Sequence, residues 1–361
     1  MTIRYLRTGL LAPLALLACC LAGPSALAQG GGKAAVPMYA RLPARYLSNI
    51  VAPATATVPN WTGTLSPGGQ SFVMVGTDPS TTNTTTTVTV YLVPIRIILS
   101  PTANGGIYDP QHLLPNGNTV TQSVALSPIY NAGIDYVQGG VDLGNTQYID
   151  AFQRGDFWSD VQTNTNYHIL LNAVVLPEQT IFVPPASGST ATEFGVKAAL
   201  VDINFFDAKW EELISANPTI TPDSFPVALL YDTYLTQGGG CCIGGYHSAF
   251  GSASAPQTYA QFTYVDKVGA FSQDVSALSH ETGEWLADPF VDTPGCGGLL
   301  EIGDPLEGET NFGGFPYTLN GFTYNLQDMV FMQYFGQSPS TSVNGWWSFQ
   351  NASLSQCSNG Q

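Results

Sequence analysis

Residues Val88 to Leu99, reading VTVYLVPIRIIL, constrain the fold most strongly, and a threonine-rich stretch from Ser80 to Thr89 leads into them. Side chains branched at Cβ suit a pleated backbone and crowd a helix, so this segment reads as a strand. Pro94 has no N–H to give to a sheet ladder, which predicts an edge strand or a bulge at that point. Further strands are predicted over 167–177, 180–184 and 196–203, from Phe225 to Asp232 and from Tyr259 to Val265, with turns at Asn104-Gly105-Gly106 and Pro115-Asn116-Gly117. Helical spacing links Tyr148, Ala151, Phe152, Gly155 and Trp158 within 147–158, and Phe206, Trp210 and Leu213 within 205–216. A third helix is read from Asp274 to Ala287, with Ser272 as its cap and Pro289 as its stop. No internal repeat is present. The expectation is a single α+β domain over 61–361 with an N-terminal β-rich lobe, preceded by an Ala-, Pro- and Gly-rich segment, 29–60, extended over the surface.

The first residues have the form of a secretory signal: Arg4 and Arg7, an apolar stretch from Leu10 to Leu21, then Ala26-Leu27-Ala28. That stretch is too short to cross a bilayer as a helix. Residues 1–28 are therefore read as a cleaved leader, with lipidation at Cys19 as the alternative, and the location as secreted or extracellular, the periplasm or cell envelope included. Without the two leader arginines, 8 basic and 26 acidic side chains remain, a net charge of −18. Nucleic acid is excluded as a partner, because phosphate contacts need clustered Lys and Arg. An anionic membrane surface is excluded on the same ground. Charged residues make up 10% of the chain while Gly and Pro number 38 and 25, a balance that favours a loop-rich, strand-rich body.

Four cysteines lie beyond the leader: Cys241, Cys242, Cys296 and Cys357. An even number in a secreted chain predicts two disulfides. Adjacent cysteines rarely join each other, so Cys241 and Cys242 are each expected to pair with Cys296 or Cys357.

The chemistry concentrates in Ser279 to Pro289, SHETGEWLADP. On a helix, His280 and Glu284 stand one turn apart on one face, with Ala277 a turn before and Asp288 a turn after. A His and a carboxylate so placed can share a metal ion, and Glu281 would stand beside it as a general base. A third ligand must come from elsewhere: Glu301 and Asp304, in the turn-rich Gly297 to Pro305, are candidates. His247, approached through Gly244-Gly245, is another. The chain has only four histidines, yet Asp274 to Asp288 holds five ionisable groups among apolar neighbours. Gly283 inside the helix costs about 1 kcal/mol against Ala, which predicts close approach by another element. The competing reading is a structural polar network tying helix to loop. Elsewhere, His168 reads as a satisfied core histidine, His112 as exposed in a turn, and Arg154 as paired with Asp150 or Asp156. Trp346 and Trp347 read as packing on opposite faces of a strand. There is no nucleophile elbow, phosphate loop or dinucleotide fingerprint.

His280-Glu281, Glu284, Asp288-Pro289 and then Glu301-Ile302-Gly303-Asp304 resemble a segment of the plant EXORDIUM, or phosphate-induced, secreted proteins and their bacterial relatives. Cys241-Cys242-Ile243-Gly244-Gly245-Tyr246-His247 is similar to the Cys-rich Gly-x-His element upstream in that family, and the likeness covers roughly 225–310. Asp150 to Trp158 and Tyr167-His168 resemble uncharacterised secreted bacterial proteins of this kind. The resemblance implies a zincin-like fold, a mixed sheet with an active-site helix, and an extracellular location. The helix is also similar to that of zincin metallopeptidases, departing from it at Glu284. Oxygen ligands there move the expected metal from zinc alone toward Mn or Ca as well, and make a bound ion a weaker acid. The function expected is a metallohydrolase acting on peptides. The alternative is a non-catalytic protein that binds extracellular matrix or wall material.

Overall fold

The computed structural model describes residues 56–65, 69–296, 298–336 and 340–357. The leader 1–28 and the expected extended segment as far as residue 55 lie outside them. Strands β1 (Asn60–Thr64) and β2 (Ser71–Val75) make a hairpin. Then come β3 (Thr85–Leu99), β4 (Gly106–Tyr108), helix α1 (Val120–Ala125), the hairpin β5 (Ile134–Gln138) and β6 (Val141–Thr146), and helices α2 (Tyr148–Asp156) and α3 (Trp158–Val161). Next are β7 (His168–Val175), β8 (Gln179–Val183), β9 (Gly188–Glu193), β10 (Val196–Asp202), α4 (Ile203–Ala216) and β11 (Phe225–Tyr231). The chain continues through β12 (Thr233–Gln237), β13 (Gly240–Ile243), β14 (Gly245–Ser252), β15 (Ala255–Tyr264) and α5 (Ser276–Ala287). Short β16 (Pro294–Gly295) and β17 (Gly298–Leu299) precede the hairpin β18 (Gly314–Leu319) and β19 (Phe322–Gln327). The α+β class is as expected, with strand outweighing helix, 41% to 21%.

The main sheet is mixed, in the order β14-β15-β11-β3-β4, with β7 and β8 both paired to β3. β3, β7, β8, β11 and β15 run parallel; β14 and β4 are antiparallel to their neighbours. The Val88–Leu99 reading is thus correct in type and wrong in position, because β3 lies inside the sheet. Pro94 is tolerated there by a seam. On one side it faces Leu229 of β11; on the other, β7 pairs with β3 only as far as Leu92 and β8 takes over at Ile95. The missing N–H falls where the partner strand changes.

One face of this sheet packs on α4 through Ile203, Phe206, Trp210 and Ile214. The other packs on α5, whose Trp285 stacks on Phe225 at 3.8 Å between ring centroids and donates to Thr258 Oγ1 at 3.0 Å. The β1–β2 hairpin joins this second apolar cluster through Phe72, Met74 and Val75. All twelve residues of α5 are buried, its ionisable ones included. Polar side chains on a helix enclosed on all sides need partners, and α5 finds them in β14, the loop after β17, and β19.

Several local expectations are corrected. α5 begins at Ser276 and not Asp274, and Ser272 does not cap it. Asp274 instead accepts from Val275 N and Asn325 N, tying the start of α5 to β19. The cysteines pair as Cys241–Cys242 and Cys296–Cys357, with Cα atoms 3.0 and 6.2 Å apart, not across the two groups. β13 holds Cys241 and Cys242 in a separate four-stranded sheet, β13-β12-β10-β9, whereas Cys296 follows α5 and meets the C-terminal segment. Arg154 donates to the carbonyls of Leu143 and Tyr167 in place of an aspartate. Asp150 receives His168 Nδ1 at 2.7 Å, so the partly exposed His168 is satisfied, though at the rim of the core. His112 is exposed, as expected, and stacks on Tyr231. Trp346 and Trp347 are half-buried and outside any strand.

Candidate metal centre

Three segments bring the ionisable groups together. α5 presents His280, Glu281 and Glu284. β14 presents His247, which pairs across to Ala260 and so lies on the α5 face of the sheet. The loop after β17 supplies Glu301 and, beyond Gly303, Asp304. Glycines allow the close packing: a Cβ on Gly245 would strike Glu281 Cγ, one on Gly303 the His280 ring, and one on Gly283 Met329. The approach inferred from Gly283 is therefore made by the segment following β19.

His280 Nε2 lies 3.0 Å from Glu284 Oε2 and 3.7 Å from Asp304 Oδ1. His247 Nδ1 lies 3.3 Å from Glu281 Oε2 and 3.8 Å from Glu284 Oε2. Ligand atoms of His247, Glu284 and Glu301 fall within 4.8 Å of one another, as do those of His280, Glu281 and Glu284. Glu284 belongs to both groups and is the centre of the cluster. Glu281, expected beside the ligands, lies as close in as they do. Asp304 faces His280 but stands at the rim, its side chain 22% exposed against 0–4% for the other five. Among the candidates for a third ligand, the fold places Glu301 and His247 inside and Asp304 at the opening.

The hydrogen bonds around the two imidazoles decide their tautomers. His280 Nδ1 lies 3.0 Å from Gln327 Oε1, and Gln327 Nε2 donates to Gly303 O, which fixes that amide with its oxygen toward the ring. His280 therefore carries its hydrogen on Nδ1 and turns the Nε2 lone pair toward Glu284. His247 Nε2 lies 3.2 Å from the carbonyl of Asp288, which can only accept, so its Nδ1 lone pair faces Glu281 and Glu284. Two nitrogen lone pairs and a carboxylate oxygen thus point at one another. Such a meeting of acceptors is repulsive unless protons or a cation lie between them.

Burial displaces both imidazoles and the two glutamates of α5. It holds His280 below the ordinary imidazole range and lowers His247 to about 3, so both rings are neutral. It raises Glu281 and Glu284 well above the carboxylate range, reinforced by Glu284 for the first and by Asp304 for the second. Glu284 Oε1 accepts from Gly303 N at 2.9 Å, while Glu281 Oε1 has no hydrogen-bond partner among the described residues. Neutral imidazoles, carboxylates and an orphaned buried oxygen form a donor set that fits a divalent cation. Gln327 and the Asp288 carbonyl were not legible in the sequence: no spacing rule marks a remote amide or a backbone oxygen.

No family model, curated protein or solved structure matches the chain. Among the described residues, no helix is long and apolar enough to cross a membrane, and the two disulfides are compatible with an extracellular setting.

Proposed function

We propose that this chain is a secreted, zincin-like metalloprotein whose centre is held by His247, His280, Glu284 and Glu301, and that it acts as a hydrolase on peptide bonds. The observation that carries the reading is the convergence of the two imidazole lone pairs on Glu284 Oε2. A mixed sheet packed on a buried H-E-x-x-E helix is in keeping with the resemblance to zincins and to EXORDIUM-type proteins. A bound divalent ion, zinc or with these oxygens Mn or Ca, would supply Lewis acidity. A bound cation would hold Glu281 ionised against its burial, and its Oε1, without a hydrogen-bond partner among the described residues, would then suit it to take a proton from water. Gln327 and the Asp288 carbonyl hold the rings in their ligating tautomers. Asp304 stands at the least buried edge, where a substrate would enter.

One observation favours a second reading. The five inner groups are 0–4% exposed, which suits an enclosed structural ion in a protein that binds peptide or wall material without cleaving it. Elemental analysis and cleavage of a broad peptide library, run on wild type, Glu281→Gln and Glu284→Gln, separate the two. The hydrolase reading expects Glu281→Gln to keep its metal and lose about 10²–10⁴ in rate, and Glu284→Gln to lose both. Metal without cleavage in the wild type establishes the second reading; no metal at all removes both.

A further inference from the structure

A second cluster of ligand-type side chains lies away from the candidate metal centre, where the β9–β10 hairpin meets β13. Cys241 and Cys242, adjacent on β13, are joined to each other, and a carboxylate oxygen of Glu193 and the two sulfurs all lie within 4.8 Å of one another. β9 and β13 are the two edges of the sheet β13-β12-β10-β9, so the end of the hairpin makes this meeting and strand pairing does not. The hairpin turns at Phe194 and Gly195, with φ of 47° and 75°. Phe194 packs edge-on against Tyr234 of β12 and also meets Phe271, each with ring centroids 5.6 Å apart, which fastens Glu193 beside the sulfurs. Cys242 is fully buried, while Cys241 and Glu193 are partly exposed, so solvent reaches the group from one side. Among the described residues the Glu193 carboxylate makes no hydrogen bond and no ion pair. Lys267, which reaches the same turn, donates instead to the carbonyl of Gly195 at 2.9 Å.

We propose that Cys241 and Cys242, once reduced, bind one thiophilic divalent cation together with Glu193, a redox-gated site separate from the candidate centre. Two thiolates and a carboxylate suit a soft or borderline ion such as cadmium or zinc; calcium and magnesium take oxygens and are turned away by the sulfurs. In the disulfide neither sulfur is a thiolate, so no ion is held. The gating step balances with a thiol as reductant. Its thiolate attacks Cys241 Sγ, on the partly exposed residue, and the bond to Cys242 Sγ breaks, with Cys242 leaving as thiolate. A second thiol displaces Cys241, and the reductant departs as its own disulfide, having passed two electrons to the pair. The protons the cysteines gain are released again when the metal takes both sulfurs. A catalytic exchange dithiol is less well served here: such pairs rely on a cation or a helix N-terminus to hold a thiolate, and this one has a carboxylate beside it. The site draws on none of the metal-centre residues, so it stands or falls independently of the hydrolase reading.

Cadmium titration of the full secreted chain, before and after reduction by a water-soluble trialkylphosphine that is then removed under argon, tests it. The readout is the ultraviolet charge-transfer absorption from thiolate to cadmium; the candidate centre has no thiolate, so cadmium bound there is silent. The oxidised chain should show no such absorption. The reduced chain, still folded by circular dichroism, should show it and saturate at one thiolate-bound cadmium per chain. Cys296→Ser/Cys357→Ser should keep the signal and Cys241→Ser/Cys242→Ser should lose it. Glu193→Gln, at a partly exposed position with its shape kept, should weaken cadmium binding severalfold while the melting temperature holds. No signal from the reduced parent, a signal that appears only once the chain has unfolded, one that survives in Cys241→Ser/Cys242→Ser, or unchanged affinity in folded Glu193→Gln each overturns the proposal.

Discussion

At the scale of single residues, the proposed centre depends on what orients its imidazoles as much as on the imidazoles. Gln327 is bound on both sides, to His280 Nδ1 and to Gly303 O. Removing its carbonyl frees the imidazole to change tautomer or rotate. Metal affinity should fall about 10–100-fold in Gln327→Met, the usual cost of losing a ligand's orienting partner. It should recover in Gln327→Glu, which restores an acceptor; competition with a chelating dye reads both, and equal affinity in the three proteins would remove the orienting role. The candidate residues were legible because His280, Glu281 and Glu284 share a helix with a readable period and Glu301 and Asp304 share a Gly-rich loop. Their order was not. Asp304 looked equivalent to Glu301 in sequence, and only the turn at Gly303 puts one inside and the other at the rim.

At the scale of elements, the two disulfides differ in what they restrain. Cys296–Cys357 closes a loop of sequence separation 61 and fastens the segment that leads from α5 to Glu301. Cys241–Cys242 joins neighbours in the chain and closes almost no loop. If stabilisation grows with the unfolded loop removed, the double replacement Cys296→Ser/Cys357→Ser should cost about 2–4 kcal/mol. Cys241→Ser/Cys242→Ser should cost far less. Denaturant unfolding measures both, and a larger loss from the second pair would refute the loop account. Element types were well read from β-branching and helical spacing. Connectivity was not, because the rule against adjacent pairing says nothing about a sheet that separates β13 from both other cysteines. The cap of α5 was misread for a related reason: Asp274 answers to a strand some fifty positions away, and Ser272 loses the role its residue type suggested.

At the scale of the whole molecule, a carboxyl buried away from the candidate metal centre makes stability depend on pH. Burial raises Asp156 from 3.8 to about 8, against one opposing hydrogen bond from Met332 N. Below about pH 4 the folded and unfolded chains both hold its proton. Between about 4 and 8 only the folded chain keeps it, so its contribution to stability declines as pH rises, by about 1.4 kcal/mol per unit at the steepest. Asp156→Asn keeps an oxygen for Met332 N and has no proton to lose. It should therefore gain on the parent steadily from pH 5 to pH 8 in thermal melts; a constant difference, or one of opposite sign, would show that Asp156 titrates normally. The whole fold was legible only as a class, because its centre is assembled from distant pieces, and β3 makes that plain. Apart from β4, none of its partners is nearby in the chain: Thr85 waits for His168, and Val90 for Phe225. A nascent chain stopped before β11 would carry its most aggregation-prone segment with one flank bare, so this protein spends its synthesis dependent on whatever keeps an unfinished strand from meeting a stranger.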